Sequence, residues 1–199
     1  MTLASALYGA ASGTKYLAGN VYPAHSGGLN ATALSTGKDY LVPFSPRVNM
    51  TLDRVAWLRE DNGTGSNVYV GLYSGAGVLL TNCAVDTNTS QGWHLVDTTN
   101  VALTANTFYW LCYNQSADVA YAQSSGTSDA VASVRPAYEH LVREFGIATA
   151  LGITSGGGNV LNGVFASKSR SNAALLSTLV LSGWSEVTDV VPALGVVAA

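Results

Sequence analysis

Three histidines, two cysteines and a thin scatter of carboxylates are the groups with which this chain could do chemistry. His25, His94 and His140 stand far apart in sequence. No Gly-x-Ser-x-Gly elbow, His-Glu-x-x-His run or cysteine–histidine signature accompanies them. Neither an activated nucleophile nor a zinc site is therefore written locally. Asp53, Asp97 and Asp118 could converge from separate strands, and two facing carboxylates about 5–10 Å apart would suit glycoside hydrolysis. A polysaccharide-degrading enzyme is thus the remote reading, and the expected class is non-enzymatic.

Other chemical patterns are weaker still. The turn Glu60-Asp61-Asn62-Gly63-Thr64-Gly65-Ser66 lacks the alternating oxygen ligands and closing Glu of a calcium loop, so it reads as a solvated turn. Gly156-Gly157-Gly158 has no Lys-Ser/Thr after it and does not make a phosphate loop. Cys83 and Cys112 are too few for a disulfide framework, and free buried thiols are expected, with one bridge open if their strands are neighbours. No metal or cofactor is expected. Trp57, Trp93, His94 and Trp184 could stack on a sugar, and each competes with a core or interface role.

The elements that must position these residues are strands. Tyr40–Arg47 is held extended by Pro43 and Pro46, which places it at a sheet edge or at the start of a strand. Met50–Leu58 follows, with a partner expected from Asn67 onward. Val68–Tyr73 and Val78–Val85 read as a hairpin around Ser74-Gly75-Ala76-Gly77. Gly92–Val96, Val101–Leu103, Asn106–Asn114 and Val119–Gln123 continue the series. Pro136, then Tyr138, Leu141, Val142 and Phe145 at helical spacing, predict one short α-helix near 136–145. Its other face carries Glu139, His140, Arg143 and Glu144, a charged solvated surface rather than a catalytic set. Val160–Ala166, Ala173–Leu181 and Val190–Val197 are β-like, the last a closing strand.

The expected fold is all-β: an antiparallel β-sandwich, jelly-roll-like, formed by residues 39–199 as a single domain. Residues 1–38, rich in Ala, Gly and Ser, read as an N-terminal arm that lies along its own sandwich or reaches a neighbour.

One strand is apolar on both faces. Phe108, Trp110 and Cys112 point one way, and Tyr109, Leu111 and Tyr113 the other. A half-solvated strand would show polar residues on one side. The second face therefore needs cover from the arm, from a later segment or from another subunit. Tyr109, Leu111 and Tyr113 are the expected subunit interface.

The totals favour the last source of cover. Only 21 of 199 side chains are charged, and 48% of residues are hydrophobic. A compact monomer of this mass would expose roughly 9,000 Å², which is about 400 Å² per charge. Either Ser, Thr, Asn and Gly cover the surface, or part of it lies against neighbouring copies; the apolar excess within single strands favours the second. The net charge of −3 and the lack of a basic run predict no nucleic-acid partner. No apolar run reaches membrane-helix length, and the first residues do not have the make-up of a secretory signal.

Beside this reading stands a resemblance. YLVPFSPRVNMTLDRVAW, a Gly-rich turn, NVYVGLYSGAGVLLTNCAVDTNTSQGWH and LTANTFYWLCYN resemble a β-sandwich module of tailed-bacteriophage virion structural proteins. The shared frame falls on Tyr40–Phe44, Thr51–Val55, Gly71–Tyr73, Val85–Thr87 and Tyr109–Leu111. It covers residues 40–123 well and the rest loosely. The resemblance implies a tail, fibre, tail-tip or capsid-decoration protein located on the virion, made in the host cytoplasm and partnered by other virion proteins and by copies of itself, commonly as a homotrimer. The alternative function is a receptor-recognition module for a host surface glycan, with Trp93, His94 and Trp184 as the candidate contacts because aromatic rings beside amides and hydroxyls suit sugars.

Overall fold

A computed structural model of the chain describes residues 21–23, 34–46, 48–59, 65–82, 85–117, 122–124, 166–186, 190–192 and 194–199. Among the described residues there are strands and no helix. The expected helix near 136–145 lies outside them.

The strands are β1 (Val21–Pro23), β2 (Lys38–Phe44), β3 (Met50–Arg59), β4 (Val68–Ser74), β5 (Leu79–Asn82) and β6 (Gly92–Leu103), followed by β7 (Tyr109–Gln115), β8 (Ala122–Ser124), β9 (Ala166–Ser169), β10 (Ser185–Glu186), β11 (Val190–Pro192) and β12 (Leu194–Ala198). They form a four-stranded sheet, β1-β12-β3-β6, a six-stranded sheet, β10-β9-β2-β7-β4-β5, and the pair β11-β8. Each described pairing is antiparallel. The fold is all-β.

Alternation along the strands sets the core. Tyr40, Val42, Phe44, Val70, Leu72 and Leu111 of the six-stranded sheet share one apolar cluster with Leu52, Val55, Trp57, Leu194 and Val196 of the four-stranded sheet. Each such side chain contributes roughly 1.5–3 kcal/mol when fully buried. Thr81 Oγ1, from β5, donates to the Thr99 carbonyl of β6 at 3.0 Å and links the two sheets at one edge.

Several expectations need correction. The first concerns β3, which does not pair with the strand that follows it. Its neighbours are β6 and β12, while β4 pairs with β5 and β7. Both β3 and β4 are apolar toward the shared cluster, so placing them in different sheets buries both inner faces. The second concerns β2, which is interior, between β7 and β9. Pro43 is tolerated because β9 pairs only Lys38–Leu41, so Pro43 stands where β2 has a single neighbour.

The third correction is to the interface. Tyr109, Leu111 and Tyr113 are buried within the chain, in the apolar cluster to which strands of both sheets contribute. The other face of β7, with Phe108, Trp110 and Cys112, is covered by Leu175, Leu179 and Trp184. A later segment of the same chain therefore supplies the second layer, and these three residues need no other copy to bury them.

The arm meets its own chain at several described places, Gly37 O accepting from the Arg170 backbone N–H at 2.9 Å among them. β1 extends the four-stranded sheet beside β12, and Leu34 enters the shared core. β6 is one strand of 12 residues where two were expected. Asn106, at φ 55°, takes the left-handed conformation in the turn to β7, and its backbone N–H donates to Pro46 O at 2.7 Å.

Candidate functional site

Among the described residues, two polar clusters and one covering segment hold specific side-chain contacts around the strands. The first cluster centres on Asp86. Its Oδ2 accepts from Trp57 Nε1 at 2.9 Å and lies 2.7 Å from His94 Nδ1. Its Oδ1 accepts from the Asn88 backbone N–H at 2.9 Å, and Asn88 Oδ1 in turn accepts from Ser90 N–H at 3.0 Å. These are successive Asx turns, which Asp and Asn form readily. His94 Nε2 donates to Ser90 O at 2.6 Å, and Arg59 Nη1 donates to Asn88 O at 3.1 Å. The Asp86 backbone is fixed by paired hydrogen bonds with Val68 at 3.0 and 2.8 Å.

Local sequence explains this arrangement. Trp57 pairs with His94 across β3 and β6, which brings their rings to 4.5 Å between centroids. Tyr113 lies behind Trp57 at 5.9 Å, and the Arg59 guanidinium is 6.0 Å from the Trp57 ring centre. A carboxylate–imidazole pair resembles half of a general-base relay. Here the second ring nitrogen is occupied by a backbone carbonyl and the residue is only 6% exposed. The imidazole is spent on holding residues 86–90 in place.

The second cluster fastens a segment that we call the strap, residues 170–184. Arg170 Nε donates to Asp39 Oδ2, and its Nη1 and Nη2 donate to Ala174 O at 3.1 Å and Ala173 O at 3.2 Å. Asn114 Nδ2 donates to Asp39 Oδ1 at 2.9 Å and to Lys38 O at 3.0 Å. Asn172 Nδ2 donates to Asn114 Oδ1 at 2.6 Å and to Asn67 O at 2.9 Å. Burial lowers the pKa of Arg170, but the hydrogen bond and charge of Asp39 outweigh it and the net shift is upward.

Beyond this clamp the strap lies on β4, β5 and β7. Thr178 bridges Val78, with Leu79 N–H donating to Ser177 O at 3.0 Å and Leu179 N–H to Gly77 O at 2.8 Å. Tyr73 OH donates to Leu176 O at 2.7 Å. Gly71 permits the close fit: a Cβ there would lie 2.6 Å from Leu175 Cδ1 and 2.9 Å from Thr81 O. Cys112 is a free thiol under this cover. Burial, then the charge of Asp39, pushes its pKa well up, with Arg170 acting in the opposite sense. Tyr73 is pushed up too, first by burial and then by Cys112 and Asp39.

The sequence-predicted residues fall as follows. His94 is buried in the Asp86 cluster. Trp184 is 5% exposed, donates from Nε1 to Val180 O at 2.9 Å, and has Lys168 Nζ 5.9 Å from its ring centre. Both lie away from solvent, so their expected glycan contact requires surface that they do not offer. Trp93 is half-buried opposite Leu58. Asp53 and Asp97 are each engaged by Arg54, whose Nε lies 3.4 Å from the Asp53 carboxylate and 4.0 Å from that of Asp97. Asp118, His25, His140 and Cys83 lie outside the described residues. No group of three or more His, Cys, Asp or Glu that could hold a metal occurs among the described residues.

Sequence reasoning missed Asp86, Asp39, Asn114 and Arg170. Asp-x-Asn-x-Ser at 86–90 was a legible Asx-turn signal. Arg170 carried none, because its partner lies 131 positions earlier. No family model and no curated protein matches the sequence.

Proposed function

We propose that the chain is a non-enzymatic virion structural protein of a tailed bacteriophage, built as a jelly-roll-like antiparallel sandwich. In this reading it is displayed on the particle surface as a tail, fibre or capsid-decoration component and acts through subunit contacts. The observation that carries the reading is the coincidence of the resembling frame with the strand scaffold. Tyr40–Phe44 lies in β2, Thr51–Val55 in β3, Gly71–Tyr73 in β4 and Tyr109–Leu111 in β7. Val85–Thr87 contains Asp86, the centre of the first cluster. Support also comes from how the polar groups are used: His94, Asp86, Asp39 and Arg170 all fasten backbone or neighbouring segments.

The test is location. The chain, carrying a small epitope tag, is followed through phage propagation by particle purification and labelled electron microscopy. Stoichiometric label at the tail, fibre or capsid surface supports the reading. Label that stays in the host fraction while particles assemble without the chain overturns it. A glycan-binding role would rest on Trp93 and is tested by glycan-array binding of the wild type against Trp93→Ala.

A further inference from the structure

We infer that His94 is held in the folded chain as an imidazolium, with a proton on each ring nitrogen, and that this charge makes the fastening of residues 86–90 respond to pH. The inference goes beyond the virion reading and does not depend on it. His94 Nε2 lies 2.6 Å from Ser90 O, a backbone carbonyl that can only accept, so Nε2 carries a proton. Nδ1 lies 2.7 Å from Asp86 Oδ2. A proton stands in this contact too, because two bare lone pairs do not meet at hydrogen-bond distance. It belongs to the imidazole or to the carboxyl, and the other partners of Asp86 decide. Trp57 Nε1 donates to Oδ2 at 2.9 Å, and the Asn88 backbone N–H donates to Oδ1 at 2.9 Å. Donors aimed at both oxygens favour the carboxylate over the acid, which leaves the proton on Nδ1.

The titratable and charged groups that the described contacts bring to this cluster are Asp86, Arg59 and Tyr113. Asp86 is the counter-charge. Arg59, from β3, donates to Asn88 O at 3.1 Å; its charge opposes the imidazolium and favours the carboxylate. Tyr113, from β7, lies behind Trp57, and its hydroxyl is engaged in donating to Gln115 Oε1 at 2.7 Å. The Trp57 ring, 4.5 Å from that of His94 between centroids, offers a π-surface to the cation. The side chains of His94 and Asp86 are 4% and 10% exposed, so water screens the pair little. Loss of the second proton breaks this arrangement. A neutral ring has one N–H, and it serves Ser90 O or Asp86 Oδ2, not both. At the other contact a lone pair then faces an acceptor at 2.6 or 2.7 Å. One end of the chained Asx turns through Asp86, Asn88 and Ser90 is let go. The segment is therefore fastened at the lower pH and loosens as pH rises through that loss. Thr87, Asn88, Thr89 and Ser90 are exposed, so the change is displayed on the surface.

Long-range proton–nitrogen correlation spectra of the isotope-labelled full chain read the protonation of each imidazole directly. The His94 signals are those absent from His94→Gln; should that variant unfold, they are the ones left in His25→Gln/His140→Gln. At about pH 6 both ring nitrogens of His94 are expected to be protonated, each with a resolved N–H proton that exchanges slowly with water. Hydrogen exchange of the Asn88 and Ser90 amides, corrected for the pH dependence of the exchange chemistry itself, is the second readout. Their protection is expected to fall at least about tenfold across the pH at which His94 loses its second proton, while the amides of β3 and β12 keep theirs. Asp86→Asn is the third. It keeps the shape, removes the charge and offers Nδ1 a donor, so its His94 is expected to lose the second proton at a pH lower by at least about one. A singly protonated His94 at about pH 6 overturns the proposal. So does protection of Asn88 and Ser90 that stays unchanged when the proton leaves, or an Asp86→Asn chain whose His94 titrates as in the wild type. If Asp86→Asn unfolds, the first two readouts on the wild type decide.

Discussion

Arg170 and Asp39 stand 131 positions apart and are joined side chain to side chain, Nε to carboxylate. Asp39 sits beside β9, where Lys38 to Leu41 pair with Ser169 to Ala166. The clamp therefore fixes the strap at the point where the chain leaves the sheet. Each partner is tied again: Asp39 to Asn114, and Arg170 to the carbonyls of Ala173 and Ala174. Arg170→Ala is expected to cost about 2 kcal/mol, below the value for a wholly buried pair because water still reaches the guanidinium. Urea denaturation of Arg170→Ala, Asp39→Ala and the double variant measures the coupling, expected at about 1–2 kcal/mol. Arg170→Lys is expected to recover little, since an ammonium lacks the planar fork that reaches Asp39 and two carbonyls together. Strict additivity of the two alanine variants would overturn the clamp.

His94 supports the loop at 86–90 from inside. Replacing it by Ala removes the imidazole that joins Asp86 Oδ2 to Ser90 O, leaves Asp86 Oδ2 with Trp57 Nε1 as its side-chain partner, and opens space beside Trp57. The expected loss is about 2–4 kcal/mol. Limited proteolysis should then cut near residues 86–91 before the rest of the chain. His94→Ala within about 0.5 kcal/mol of the wild type, a value ordinary for surface positions, would mean that the cluster is dispensable.

The strands were largely legible in the sequence because side-chain alternation is a local signal. The two faces of Tyr109–Tyr113 were assigned correctly to opposite directions from their spacing alone. What covers them was not legible, because a covering contact joins residues far apart. Low charge and two apolar faces fit a subunit interface and an internal strap equally well, and only the placement of Leu175, Leu179 and Trp184 separates the two. The β-like run from Ala173 to Leu181 was seen, but it makes one bridge, at Thr178, rather than a strand. His94 illustrates the same limit. Its type suggested binding or catalysis, and its role was decided by Asp86 and Ser90, whose side chain and carbonyl orientations no spacing reveals.

Gly71 is a position where the strap packs closely on β4. Ala at this site brings its Cβ to 2.6 Å from Leu175 Cδ1, 2.9 Å from Thr81 O and 3.0 Å from Asn82 Cβ. Leu175 is a flexible tip and can turn aside, but the Thr81 carbonyl is backbone within a sheet pair and cannot. Gly71→Ala is expected to destabilise by about 1–3 kcal/mol through overpacking. Adding Leu175→Ala should relieve part of that cost, so the double variant loses less than the sum of the two singles. A sum met in full would show that Leu175 does not press on this site.

Alkaline pH tests the strap from its inner side. Cys112 and Tyr73 both lie beneath it with pKa values pushed up by burial. A raised folded-state pKa means that the unfolded chain releases its proton first. Above the ordinary thiol value the unfolded state then binds fewer protons than the folded one, and stability falls as pH rises. The contribution of these two groups to the urea midpoint, measured under reducing conditions, should be flat up to about pH 8, decline from about pH 9 as the thiol of the unfolded chain ionises, and fall more steeply from about pH 10 as the phenol follows. Cys112→Ala should start from a lower plateau, because it leaves a small void, yet lose the first decline. Tyr73→Phe should lose part of the second and, lacking the hydrogen bond to Leu176 O, sit about 1 kcal/mol lower throughout. A midpoint that rises between pH 9 and pH 10, or an onset that Cys112→Ala leaves unchanged, would show that the thiol is not buried under the strap.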